Sequence, residues 1–112
     1  MITIDSVREY GAAVDEGLAR CMNNEAFYLK LVGKVLDDKA FGTLRSAVEA
    51  GDKEAAFEAA HQLKGVLGNL ALTPMFEPVA EMTELLRAGE EVEYMVFVDK
   101  IEEKKKVLEE MR

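Results

Sequence analysis

The only histidine in this sequence, His61, is the side chain whose type and neighbours point most clearly to covalent chemistry. Lys64 follows it at i+3, and two glycines follow at i+4 and i+7, Gly65 and Gly68. An imidazole can accept and donate a group, and a lysine one helical turn away can reach an anion held on that ring. An interior glycine costs a helix about 0.5–1 kcal/mol relative to alanine. Two glycines beside His61 therefore indicate a helix surface without side chains next to the imidazole, so that a partner can come close.

Other kinds of active site find little support in the sequence. One histidine and one distant cysteine, Cys21, do not make a metal site. Ser6 and Ser46 are the only serines, and neither belongs to a local catalytic triad. The sequence has no glycine-rich phosphate loop and no strand to precede one. His61 would thus accept and donate a group without neighbouring catalytic residues.

Composition and charge limit the classes of partner. The chain has 112 residues, 49% of them apolar, which is enough for one domain with a single core. A formal net charge of −8 argues against nucleic acid and anionic membrane surfaces. A single cysteine fits a reducing compartment, and we see neither a signal peptide nor an apolar run long enough to span a membrane. We therefore expect a cytoplasmic protein and a monomer. Because the chain starts at Met1 and has no linker-like tail, we expect a free-standing domain, with a part of a larger hybrid protein as the alternative.

The elements that must position His61 are predicted to be helices throughout, because no segment alternates with period two and prolines are few. The sequence favours helices over about 5–10, 12–22, 25–36, 38–50, 53–70, 74–88 and 91–111. Residues 24–50 could also form one long kinked helix, because aspartate and glycine weaken a helix without forbidding it. Pro78 leaves another choice open, since the sixth helix either begins near it or kinks there.

Short polar residues mark the predicted helix starts. Asp5 is expected to cap the first helix, Asn24 the third, and Asp52, after Gly51, the central one. On the third helix we expect an inward stripe of Phe27, Leu31 and Val35, with Tyr28 and Val32 beside it. On the sixth helix the expected inner stripe is Val79, Met82, Thr83 and Leu86.

Connections of two to five residues place consecutive helices antiparallel to one another. The predicted fold class is all-α, an up-down-up-down four-helix bundle with additional short N-terminal helices. We expect a single domain over 1–112, with the N-terminal helices at about 1–36 covering one end or side of a bundle at about 38–111.

The central helix can be examined face by face, because each residue advances the helix by about 100°. Relative to Leu63, His61 lies about 160° away, almost opposite the core. The predicted buried stripe consists of Ala56, Ala59, Ala60, Leu63, Val66, Leu67 and Leu70.

Several neighbours share the outer face with His61. Gly65 and Gly68 flank it at about 200° and 140°, while Phe57 and Lys64 lie at about 120° and 100°. An exposed histidine is by itself most often an ordinary surface residue, but the two glycines and the lysine favour a functional reading. Phe57 is either a lone exposed aromatic residue or part of a docking patch.

The segment His61-Gln62-Leu63-Lys64-Gly65, followed by Gly68-Asn69-Leu70, resembles the His-x-Leu-Lys-Gly motif of histidine-containing phosphotransfer (HPt) domains. The junction Ala50-Gly51-Asp52 and the alanine-rich start of the central helix also resemble that family. The likeness extends over roughly residues 24–110. One departure is Ala71, where many members carry glycine.

The resemblance implies that His61 is the phosphorylated residue and that Lys64 neutralises the phosphoryl group. A docking surface for a receiver domain would include Phe57, Gln62, Gly65 and Gly68. The implied partners are response-regulator receiver domains and a hybrid histidine kinase. The protein would need no cofactor of its own, since the receiver supplies Mg²⁺.

Three functions stay open at this point. The first is a phosphoryl carrier without an ATP site, which is neither a kinase nor an enzyme by itself. The second is a helical-bundle module that docks receiver domains or other signalling partners without carrying phosphate. The third is a purely structural helical domain in a larger assembly.

Overall fold

Seven α-helices and the turns between them make up the whole chain in the computed structural model, which describes residues 1–112. Their bounds are α1 (Ile4–Tyr10), α2 (Val14–Arg20), α3 (Glu25–Leu36), α4 (Ala40–Glu49), α5 (Lys53–Asn69), α6 (Thr73–Arg87) and α7 (Tyr94–Glu109). The predicted all-α class is confirmed.

The last four helices form a closed bundle. In it α4 packs on α5, α5 on α6, α6 on α7, and α7 returns to α4. Turns of a few residues join them, so neighbouring helices run in opposite directions. The three N-terminal helices pack in order, α1 on α2 and α2 on α3, and α1 also contacts α7. The structure thus has the predicted up-down-up-down bundle with additional N-terminal helices.

One continuous cluster of buried apolar side chains joins the N-terminal helices to the bundle. On α6 the predicted inner stripe of Val79, Met82, Thr83 and Leu86 is buried as expected. Thr83 is the only buried polar residue, and its hydroxyl donates to the Val79 carbonyl at 2.7 Å. The core therefore holds no polar side-chain atom without a partner.

The predicted caps of the third and fifth helices are confirmed. Asn24 and Asp52 each accept a bond from the backbone N–H three residues later, at 3.0 Å. The predicted cap of the first helix is wrong, because Thr3 and not Asp5 caps α1. Thr3 and Ser6 accept bonds from each other's backbone N–H, a capping box that starts the helix before Asp5.

The two open choices along the chain are resolved. Residues 25–49 form two helices and not one, because the chain turns at 37–39, where Asp38 accepts a bond from the Ala40 N–H at 2.8 Å. The sixth helix does not begin near Pro78. It begins at Thr73, with Pro74 in its first turn and Pro78 buried in its interior.

The predicted inward stripe of α3 is shifted. Tyr28, Val32, Val35 and Leu36 are buried, whereas Phe27 is 44% exposed and Leu31 only partly covered. The cause is tertiary, since the Tyr28 hydroxyl donates to the Leu70 carbonyl at 2.8 Å and turns that side chain inward.

None of the seven helices is long and apolar enough to cross a membrane.

Candidate functional site

His61 lies near the middle of α5, the longest helix of the chain, with an exposed side chain. The opposite face of α5 buries Ala56, Ala59, Ala60, Leu63 and Leu67 in the core. Of the predicted stripe only Val66 is left partly exposed. Exposed Gln62 and Gly65 lie beside His61. The core therefore fixes α5 rigidly and presents the imidazole to solvent.

On one side of His61, α5 meets α6. The Phe57 ring stacks on the imidazole, with ring centroids 5.7 Å apart and planes 15° apart. The Arg87 guanidinium lies over the same phenyl ring, 5.1 Å from its centroid. Phe57 is therefore no isolated surface aromatic, because it contacts both His61 and a cation from α6.

Lys64 also reaches toward α6. Its Nζ lies 3.5 Å from Glu84 Oε2, and the same oxygen lies 3.4 Å from Arg87 Nε. Glu84 and Arg87 were not predicted as site residues. Nothing in the sequence near His61 signals them, because they lie more than twenty residues further along the chain and meet it only through helix packing.

The two glycines after His61 have different surroundings. A Cβ on Gly65 would meet no atom within 4 Å, whereas a Cβ on Gly68 would lie 2.9 Å from Phe76 Cε1. Gly68 is half-covered, and the ring of Phe76 on α6 occupies the space above it. The open space expected at Gly68 is therefore absent. We call this side of His61 the α6 flank. Its residues are Phe57, Lys64 and Gly68 on α5 and Phe76, Glu84 and Arg87 on α6.

On the other side of His61, a groove of about 530 Å³ separates α5 from α3. We call it the α3 flank; its lining residues are Leu31, Lys34, Val35, Asp38, Gly65, Val66, Asn69 and Leu70. Gly65 belongs both to this groove and to the exposed face that carries His61. The apolar floor of the groove is thus continuous with the surface around the imidazole.

One buried bond and one exposed ion pair link α3 to the rest of the protein along this groove. At its start, Tyr28 donates to the Leu70 carbonyl, and burial raises the pKa of Tyr28 to about 12, so the hydroxyl stays a donor. At its end, Arg112 donates two bonds to Asp37, at 3.0 and 3.1 Å, and these lower the pKa of that carboxyl.

The end of α5 is a tight turn. The Leu72 N–H donates to the Leu67 carbonyl at 3.0 Å and the Ala71 N–H to the Gly68 carbonyl at 3.1 Å, the Schellman pattern. Ala71 takes the left-handed conformation that this turn requires, with φ of 55°. The other helix ends with this pattern include α4 and α6, which use Gly51 and Gly89. Glycine is favoured at this position because it has no Cβ to crowd the carbonyl.

The fold and the site together are a helical bundle with one exposed imidazole at the middle of its longest helix. The family model of the Hpt domain matches residues 38–112, which is 75 of the 112 residues. The chain belongs to the Hpt domain family, and the match covers the helices α4–α7 that form the bundle. No protein of curated function and no solved structure matches the chain.

Membership has a direct consequence for function. Hpt domains are phosphocarriers that work by histidine phosphotransfer in phosphorelays, and they interact with receiver domains and kinases of two-component systems.

Proposed function

We propose that this protein accepts a phosphoryl group on His61 from a receiver-domain aspartate or a histidine kinase system and passes it to a response regulator. The observation that carries the proposal is the position of His61. It is the only histidine of an Hpt domain chain, it lies exposed at the middle of α5, and Gly65 beside it has open space above.

The chemistry is a displacement at phosphorus. A ring nitrogen of neutral His61 forms the N–P bond with its lone pair, while the bond from phosphorus to the donor aspartate breaks and the carboxylate leaves. Donation to a response regulator reverses these steps. Such transfers depend mainly on positioning and charge stabilisation, so a rigidly held imidazole is what this chain has to supply.

In this proposal, groups from both proteins stabilise the negative charge of the transition state. Lys64, one turn after His61, stabilises the phosphoryl group from this chain. The receiver supplies Mg²⁺, so the chain needs no cofactor and no ATP site of its own. It is therefore a carrier and not a kinase.

The α3 flank supports a docking surface larger than the predicted one. A receiver centred on His61 would cover Gln62 and Gly65 and extend into the groove between α3 and α5. Phe57 would contribute from the other side, where it holds the imidazole by stacking. Gly68 would act indirectly, by leaving room for Phe76.

The test is transfer of label from phosphorylated receivers. The wild-type chain should become labelled, and the product should be acid-labile and base-stable, as a phosphoramidate is. His61→Gln should accept no label while its circular dichroism spectrum and Tm stay those of a folded bundle, because its side chain is exposed.

The matched control is Gln62→Ala, an exposed neighbour whose loss should weaken transfer without abolishing it. Label on His61→Gln would refute the assignment of the residue. Receivers that bind the wild-type chain tightly but never label it would instead support the binding module that docks partners without carrying phosphate.

A further inference from the structure

One carboxylate on α6 pairs with two cations: Lys64, one turn after His61, and Arg87, which lies over the Phe57 ring. Glu84 Oε2 is 3.5 Å from Lys64 Nζ and 3.4 Å from Arg87 Nε. No other ion pair involves Lys64 or Arg87. Glu84 is thus the sole counter-ion of two side chains that come from two different helices.

Both cations also connect back to the imidazole. Lys64 stands one turn after His61 on α5, and Arg87 lies over the Phe57 ring that stacks on His61. The side-chain hydrogen bonds and ion pairs of Glu84 are with Lys64 and Arg87. Apart from direct charge repulsion through space, its influence on His61 therefore passes through these two cations.

We propose that Glu84 is a positioning residue for phosphoryl transfer. While the imidazole is free, it holds Lys64 one turn from His61 and Arg87 over the stacked Phe57 ring, and it yields both cations to the phosphoryl group once that is attached. The inference rests on the proposed function and deepens it. It assigns Arg87 as a second cation of the site and Glu84 as the competitor of the phosphoryl group.

The competition follows from charge. A phosphoryl group on a side chain carries close to two negative charges near neutral pH, and Glu84 carries one. Glu84 and the phosphoryl group therefore compete for the same Lys64 and Arg87, and they also repel each other. The ion pairs are partly exposed, so exchange of partners costs little, as is typical of surface pairs.

The first measurement is the equilibrium between a phosphorylated receiver and this protein. Glu84→Gln should shift it about two- to fivefold toward phosphorylated His61, because the competing charge is gone. The matched control is Glu103→Gln, which makes the same charge change on an exposed position of α7, the bundle helix diagonal to α5. That control should shift the equilibrium by much less.

A double-mutant cycle separates positioning from bulk charge. If Glu84 acts through Lys64, the effect of Glu84→Gln should fall by at least half in a Lys64→Gln background. An undiminished effect would overturn the positioning role. Tm is followed in parallel, since a merely structural role would change Tm without changing the equilibrium.

A second readout does not need a receiver. Phosphoramidate can label the histidine directly, and the ¹⁵N signal of the Lys64 ammonium is then recorded before and after. Phosphorylation should move this signal in the wild type, and in Glu84→Gln the signal should be displaced already without phosphate. An unmoved signal in both experiments would overturn the inference.

The two proposals fail in distinguishable ways. If phosphoramidate labels His61 but no receiver does, the relay function is refuted while the Lys64 signal still decides the role of Glu84. If receivers label His61 and Glu84→Gln behaves as the wild type in both measurements, the carrier function stands and the role of Glu84 is refuted.

Discussion

The two flanks of His61 differ in what fills the space beside the helix. On the α6 flank, side chains of the same protein occupy it, with Phe76 above Gly68 and Glu84 against Lys64. On the α3 flank, Gly65 borders an open groove. Two glycines of one helix face therefore have opposite uses. Gly68 makes room for a residue of its own chain, and Gly65 leaves open space on the proposed docking surface.

The two flanks therefore have different roles in the proposed site. The α6 flank holds the cations and the stacked ring, which concern the chemistry of His61. The α3 flank offers an apolar surface, which concerns docking. Substitutions on the first should therefore change stability or the phosphorylation equilibrium, and substitutions on the second should change association.

The strongest test of the contrast is Gly65→Gln. We expect transfer from a receiver to slow about thirtyfold, the effect of blocking a central contact worth about 2 kcal/mol. Stability should stay the same or rise slightly, because an exposed helix glycine is removed. The measurements are transfer rate and Tm. The matched control is Gly42→Gln on α4, where a Cβ also meets nothing within 4 Å. Equal transfer rates for the two variants would mean that no partner covers Gly65.

The counterpart on the α6 flank is Gly68→Ala. Helix propensity alone predicts that a side chain at Gly68 leaves the fold intact or slightly more stable, because an interior helix glycine is removed. The contact with Phe76 reverses this expectation, because the added Cβ forces the ring to move. We expect a loss of about 1 kcal/mol of unfolding free energy, the overpacking cost less the gain in helix propensity. Urea denaturation measures it.

Rescue by a smaller neighbour would confirm the cause. Phe76→Leu combined with Gly68→Ala should be less destabilised than the sum of the two single variants. A Gly68→Ala protein as stable as the wild type would show that the Phe76 ring moves aside freely, and the distinction between the two flanks would be weaker.

The smallest expected effect concerns the end of α5. Ala71→Gly should raise the unfolding free energy by about 0.5–1 kcal/mol, because the left-handed conformation is strained for alanine and not for glycine. The phosphotransfer rate should not change. Thermal denaturation provides the measurement, and Gly51→Ala, just after the end of α4, is the reverse control, expected to destabilise. A less stable Ala71→Gly would show that the Ala71 side chain contributes packing that outweighs the strain.

The parts of the site that the sequence predicted are those that depend on one helix at a time. The exposure of His61 and the buried stripe around Leu63 follow from helical periodicity alone, and the structure has both. The cap by Asp52 is likewise a local interaction. Ala71 departs from the motif that the sequence resembles, and its left-handed backbone is one that glycine adopts without strain.

What the sequence did not predict depends on how helices are set against each other. The period of α6 shows which face is buried, but not that Phe76 would reach Gly68 or that Glu84 would reach Lys64. The rotation of α3 was missed for the same reason, since the bond from Tyr28 to Leu70 joins residues 42 positions apart. These contacts arise only after the helices pack.

The way α3 is held has a consequence for the kinetics of association. The buried bond from Tyr28 fixes one end of the helix that forms one wall of the groove, and the exposed Asp37–Arg112 pair contacts the other end. A wall fixed before the partner arrives loses little conformational entropy on binding, and the encounter needs no folding step. Complexes on such a surface can form quickly and still be short-lived, because fast association does not require tight affinity. A preformed groove of this kind would allow one carrier to exchange receivers many times within the lifetime of a signal.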